Sequence, residues 1–188
     1  MSEIIKSFTN SAGNVYPVHG ISPLLPDLIR TAVTSEWNRA GRALPEVPAY
    51  EVELADGHKQ KFPHNETTLE TDEDRAAWAA YQAADNEFEQ EINLRVLKAV
   101  CLAVDVDPMQ DKAWREEQAV IGVDLPENPA ELRLQYVQTQ VIKSADDTAR
   151  LMTAVMVISG LMDEDQAAAA EAAFRGEMEK VRPETNPS

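Results

Sequence analysis

The sequence predicts an α+β fold, predominantly helical with small N-terminal β-hairpin elements. Two short β-prone stretches ahead of residue 64 each break at a glycine turn, whereas from residue 71 onward apolar residues recur at helical spacing behind residues that cap helices. With 188 residues, 44% of them hydrophobic, and only 7 Gly and 11 Pro, the chain holds enough apolar material for the packed core of one ordinary domain.

At the N-terminus, Glu3-Ile4-Ile5-Lys6-Ser7-Phe8 is β-prone, Asn10-Ser11-Ala12-Gly13-Asn14 signals a turn, and Val15-Tyr16-Pro17-Val18 returns as the second strand of a hairpin. Ser22 as cap and Pro23 at the first helical position start a helix whose apolar face carries Leu25, Leu28, Ile29, Ala32, Val33 and Trp37; Gly41 stops it. Pro45 and Pro48 break any helix. Tyr50-Glu51-Val52-Glu53-Leu54 then alternates apolar and charged residues, as a strand with one buried face does. Asp56-Gly57 suits a tight turn, His58 to Phe62 forms the returning strand, and Pro63 ends the pairing. Residues 63–70 are a polar connector and the expected hinge.

Thr71 and the acidic turn Asp72-Glu73-Asp74 cap the strongest element, a long helix from about residue 72 to about 103 with the stripe Trp78, Tyr81, Phe88, Ile92, Val96 and Val100. Asp107-Pro108 separates it from a short helix around Trp114 to Val120. Asn128 caps and Pro129 opens a helix carrying Leu132, Tyr136, Val137 and Val141. Ser144-Ala145-Asp146-Asp147 repeats the Ser-x-x-acid start, and the helix behind it reads Leu151, Met152, Val155, Met156 and Ile158 up to Gly160. An Ala-rich helix from about Asp163 to Val181, with Phe174 and Met178 four residues apart, and a disordered tail over 182–188 complete the expectation. The expected organisation is a hairpin-and-helix subdomain over 1–64 and a helical domain over 65–181.

Charge narrows the function classes. The formal net charge is -16, and residues 1–64 carry 6 Lys+Arg against 7 Asp+Glu, so nearly all the excess lies beyond residue 64. A surface of that sign repels nucleic-acid backbones and anionic membranes, so neither is an expected partner. The acidic part is a solvated helical face or a docking face for a basic partner. Cys101, the lone cysteine, sits in the apolar run Val100-Cys101-Leu102-Ala103-Val104 and is expected to pack as a small hydrophobe. The first 30 residues lack a leader pattern and no run reaches the length of a membrane span, which points to the cytoplasm.

The chemical signatures of common enzyme classes are missing: no glycine-rich phosphate loop, Gly-x-Ser-x-Gly elbow, His-Glu-x-x-His or Cys-x-x-Cys. His58 and His64 flank a strand near Glu66 but match no zinc spacing, and Asp72/Asp74, Asp105/Asp107 and Asp163/Asp165 lack the glycine and distal Glu of a calcium loop. No catalytic residue, metal ligand or cofactor is expected. Trp37, Trp78, Tyr81 and Trp114 suit core packing, with Trp114, on a short helix, the candidate interface anchor. Met152, Met156 and Met162 either fill core gaps or line a groove that accepts apolar partners, and with Trp114 they are the candidate partner-binding residues.

Three stretches together resemble the tail assembly chaperones of long-tailed bacteriophages. They are Tyr50-Glu51-Val52-Glu53-Leu54 before a Gly turn, Thr71-Asp72-Glu73-Asp74-Arg75-Ala76-Ala77-Trp78 with Tyr81, and Ser159-Gly160-Leu161-Met162-Asp163-Glu164-Asp165 ahead of an Ala-rich helix ending near Phe174-Arg175. The resemblance spans about residues 45–178. It implies a helper outside the virion that binds the tape-measure protein, shields its apolar helices from aggregation and helps bring tail-tube subunits to it. A structural protein of the tail or neck and an enzyme with an unrecognised site are the competing expectations.

Overall fold

The computed structural model describes residues 6–163 and 165–169. The chain is α+β and predominantly helical, with two antiparallel two-stranded sheets near the N-terminus. Its residues divide into two compact units: Pro26–Arg95, and the described parts of Met1–Leu25 with Val96–Ser188. The division expected at residue 64 falls inside the first of these units.

In the Pro26–Arg95 unit the first helix, α1 (Leu25–Arg39), begins three residues after Ser22. Ser22 still ends the preceding turn, its carbonyl accepting from Leu25 N–H at 2.9 Å. Val33 and Trp37 are buried, but Leu28 is 60% exposed and does not belong to the apolar face expected of it. Trp37 meets Phe88 edge-on, with ring centroids 4.9 Å apart, and its indole N–H donates to Glu91 at 2.8 Å. Both partners lie on α2 (Asp72–Leu102), the long helix expected from the stripe, on which Phe88, Ile92, Val96 and Val100 are buried while Trp78 and Tyr81 are half-buried. Thr71 and Asp74 form the cap: Asp74 N–H donates to the Thr71 hydroxyl and Thr71 N–H to the Asp74 carboxylate, each at 3.0 Å.

The hairpin of this unit pairs β3 (Ala49–Glu53) with β4 (Lys59–Pro63), in the register Tyr50 opposite Phe62. Pro63 is the last paired residue, and His64 N–H extends the ladder to Pro48 at 2.7 Å. The buried face expected here is not formed: Tyr50 and Phe62 are half-buried, but Val52 is 37% and Leu54 39% exposed. The expected hinge at 63–70 holds a built turn, a 3-10 helix over Glu66–Thr68 with a reciprocal cap between Asn65 and Thr68.

In the other unit, β1 (Lys6–Thr9) and β2 (Val15–Val18) form the expected first hairpin. The chain beyond β2 stays paired: Val18 bridges Val104, His19 N–H donates to Ala103 and Asp105 N–H to Pro17. A 3-10 turn over Pro108–Gln110 leads into α3 (Lys112–Val120), followed by α4 (Pro129–Tyr136) and α5 (Ala145–Ile158). Asn128 accepts from Ala130 N–H at 2.9 Å and Ser144 from Asp147 N–H at 3.1 Å, so both caps read from the sequence are made.

The α4 helix does not continue as expected through Val141. It widens into a π-turn over Val137–Val141, closed by Ile142 N–H to Val137 C=O at 2.9 Å, which buries Val137 and Val141 completely. Also buried in this unit are Phe8, Val18, Val100, Val104, Trp114, Leu132, Leu151 and Val155, and Cys101, whose thiol is pushed up to about 11 by burial and stays protonated at neutral pH. Gly20 sits where the chain passes the end of α5: an added Cβ would lie 3.3 Å from the Ile158 carbonyl oxygen and the Ser159 Cα. Residues 165–169 are helical, and the rest of the expected Ala-rich helix and the tail lies outside the described residues.

Candidate functional site

Of the four expected partner-binding residues, Trp114 is corrected by the structure. It is 2% exposed, its ring meets Tyr136 edge-on at 4.9 Å, and its indole N–H donates to the Thr139 hydroxyl at 3.1 Å. The backbone amide of Trp114 donates to Asp111, which also accepts from the Tyr136 hydroxyl at 2.9 Å. The Trp114 amide, then the Tyr136 hydroxyl, hold the Asp111 carboxyl below its ordinary value, and burial, then the bond to Asp111, pushes the Tyr136 phenol up to about 12. A side chain so enclosed fixes α3 against α4 and offers a partner no surface. Met152, Met156 and Met162 are half-buried, with part of each side chain still at the surface.

Among the described residues the most exposed large apolar side chain, Val120, lies elsewhere, at the C-terminal end of α3 next to Ile121, while Leu24, Val15, Leu28 and Met109 are exposed singly at other places. Val120 is 85% exposed, Ile121 63% and Val123 37%. The backbone amides there are engaged: Gly122 N–H donates to Ala119 C=O at 3.2 Å and Val123 N–H to Gln118 C=O at 2.9 Å, the paired bonds of a Schellman cap. Gly122 takes φ 73°, a left-handed conformation that a side chain would strain. The cap therefore ends the helix and turns two branched apolar side chains toward solvent on a backbone already fixed. The sequence signal was the run Val120-Ile121-Gly122-Val123, apolar residues around a C-cap glycine, which periodicity alone does not separate from core.

The unit formed by Pro26–Arg95 holds a depression of about 510 Å³ lined by Tyr50, Glu51, Glu53, His64, Glu70 and Asp74, among others. His64 is 6% exposed and packs on Tyr50, with ring centroids 4.9 Å apart. One ring nitrogen, Nδ1, lies 3.1 Å from the Thr68 carbonyl oxygen, and the other, Nε2, lies 3.4 Å from Asp74 Oδ1. Both nitrogens are thus turned to the protein's own oxygens, so the ring ties β4 and the 3-10 turn to the start of α2 and presents no nitrogen to a substrate. His19 and His58 are exposed.

No family model, curated protein or solved structure matches the chain.

Function must then be read from the surface chemistry. Among the described residues no cluster of three or more His, Cys, Asp or Glu is placed to hold a metal ion, and no helix is long and apolar enough to cross a membrane. The apolar tip at Val120 and Ile121 can exclude water against a complementary surface.

Proposed function

We propose that the protein is a binding helper for another protein, a bacteriophage tail assembly chaperone that holds the tape-measure protein in the host cytoplasm and promotes tail assembly. The observation that carries this reading is the solvent-facing apolar tip, Val120 and Ile121 at 85% and 63% exposure, on a chain of net charge -16. A strongly acidic exterior keeps the carrier dispersed through self-repulsion, while a small preformed apolar surface engages a helix that would otherwise aggregate. The half-buried Met152, Met156 and Met162 add adaptable thioether surface suited to apolar helices of differing sequence.

Co-expression tests the role. A tape-measure protein encoded in the same genome is expected to move from the insoluble to the soluble fraction when this chain is made with it, and to co-purify with it. A client left equally insoluble contradicts the role. Finding the chain in finished particles by mass spectrometry would instead make it a structural protein of the tail or neck.

A further inference from the structure

We infer that the tip of α3 and the acidic loop after it form one docking surface for an amphipathic, basic helical segment of a partner protein. The inference rests on the helper reading above and adds the surface and the chemistry of its occupant.

Between residues 116 and 131 the chain carries Glu116, Glu117, Asp124, Glu127 and Glu131 and no Lys or Arg. All five are exposed, and only Glu116 has an ion pair among the described residues, a 3.4 Å contact with Lys112 one helical turn away. Carboxylates flank the apolar residues on both sides in the chain, Glu116 and Glu117 before them and Asp124 and Glu127 after, so a segment that covers Val120 and Ile121 brings its own flanks toward negative charge.

That arrangement selects the occupant. A second copy of the chain would set five carboxylates against five, in a protein already at -16, and like charges at an interface are repelled. A purely apolar segment would bury the tip but leave the acidic rim unanswered. A helix with leucine-like residues on one face and Lys or Arg at the edges of that face satisfies both, since its apolar face covers the tip and its cations reach the flanking carboxylates. The Schellman cap contributes directly, because the backbone carrying the tip needs no ordering when the partner arrives.

The test uses the full chain and synthetic helical peptides with leucines at positions one, four, five and eight of each repeat. One peptide is flanked by lysine, a second by glutamate, and a third keeps the lysines but has serine in place of leucine. Calorimetry is expected to show binding of the leucine–lysine peptide that weakens with added salt, and none of the leucine–glutamate peptide. The serine–lysine peptide is expected to bind about tenfold more weakly or worse. The double variant Val120→Asp with Ile121→Asp is expected to lose about tenfold or more in affinity while its circular dichroism stays unchanged, because both side chains face solvent. Val120→Ser, which adds no charge, is expected to weaken binding in the same direction. Equal binding of the serine–lysine peptide, or unchanged affinity in both variants, would show attraction to acidic surface in general and overturn the inference. Peptide binding at the tip together with a client that stays insoluble on co-expression supports this surface and removes the chaperone role.

Discussion

Replacing Trp114 by alanine is expected to destabilise the unit that contains it by about 3–5 kcal/mol, the range for removing a large aromatic side chain from a packed core. The indole is 2% exposed and sits between α3 and α4, edge-on to Tyr136 and bonded through its N–H to Thr139. Truncation leaves a void of the size of the ring and releases the π-turn residue Thr139 from its link to α3. Trp114→Phe retains most of the packing and gives up the N–H bond, and is expected to cost only about 1 kcal/mol. Urea unfolding followed by circular dichroism measures both. The contrast with an interface anchor is sharp, since an anchor's removal would leave the free protein as stable as before and lower only its affinity for a partner.

Asp147→Ala is expected to have the second largest effect, about 3 kcal/mol at neutral pH, because it removes three hydrogen bonds that converge on one buried carboxylate. Asp147 is fully buried and accepts from the Ser11 hydroxyl at 2.8 Å, the Ser11 amide at 2.6 Å and the Lys143 amide at 2.9 Å. These bonds pin the turn between β1 and β2 to the start of α5, and the neighbouring Asn10 adds a bond from its side-chain amide to the Val141 carbonyl at 3.0 Å. Burial by itself raises the Asp147 carboxyl, but the hydrogen bonds from Ser11 and Lys143 outweigh it and hold the group below its ordinary value. A carboxyl depressed on folding contributes stability above its unfolded value, near pH 4, and loses it as pH falls through the folded one. Wild-type stability is therefore expected to decline below about pH 4. The Asp147→Asn variant is expected to be weaker at pH 7 and to decline less steeply in acid, and parallel acid limbs for the two proteins would contradict the assignment.

Local chemistry carried most of what the sequence revealed. Thr71, Asn128 and Ser144 act as caps because each bond is made within three residues, and the first hairpin follows from one turn signal between two β-prone runs. Where the sequence misled, the deciding partner was distant. The alternation from Tyr50 to Leu54 reads as a half-buried strand, yet the hairpin leaves Val52 and Leu54 uncovered within its unit. Asp147 reads as the acidic half of a capping box, but its carboxylate is diverted to Ser11, 136 residues away in the chain. The π-turn at Val137–Val141 lies where Thr139 meets Trp114, a contact no spacing rule contains. The candidate site was legible only in part. The short helix was found, but its largest residue was taken for the anchor, whereas the smaller side chains beside Gly122 are the ones that face solvent.

The central claim is that binding is carried by the capped apolar tip of α3. Methyl resonances of the full chain, recorded with and without a soluble helical segment of the tape-measure protein, test it most directly. The account predicts that Val120, Ile121 and Val123 show the largest shifts, with Val137, Val141 and Leu151 in the core unmoved. Shifts confined to residues around His64 and Tyr50, with the tip unchanged, would contradict it.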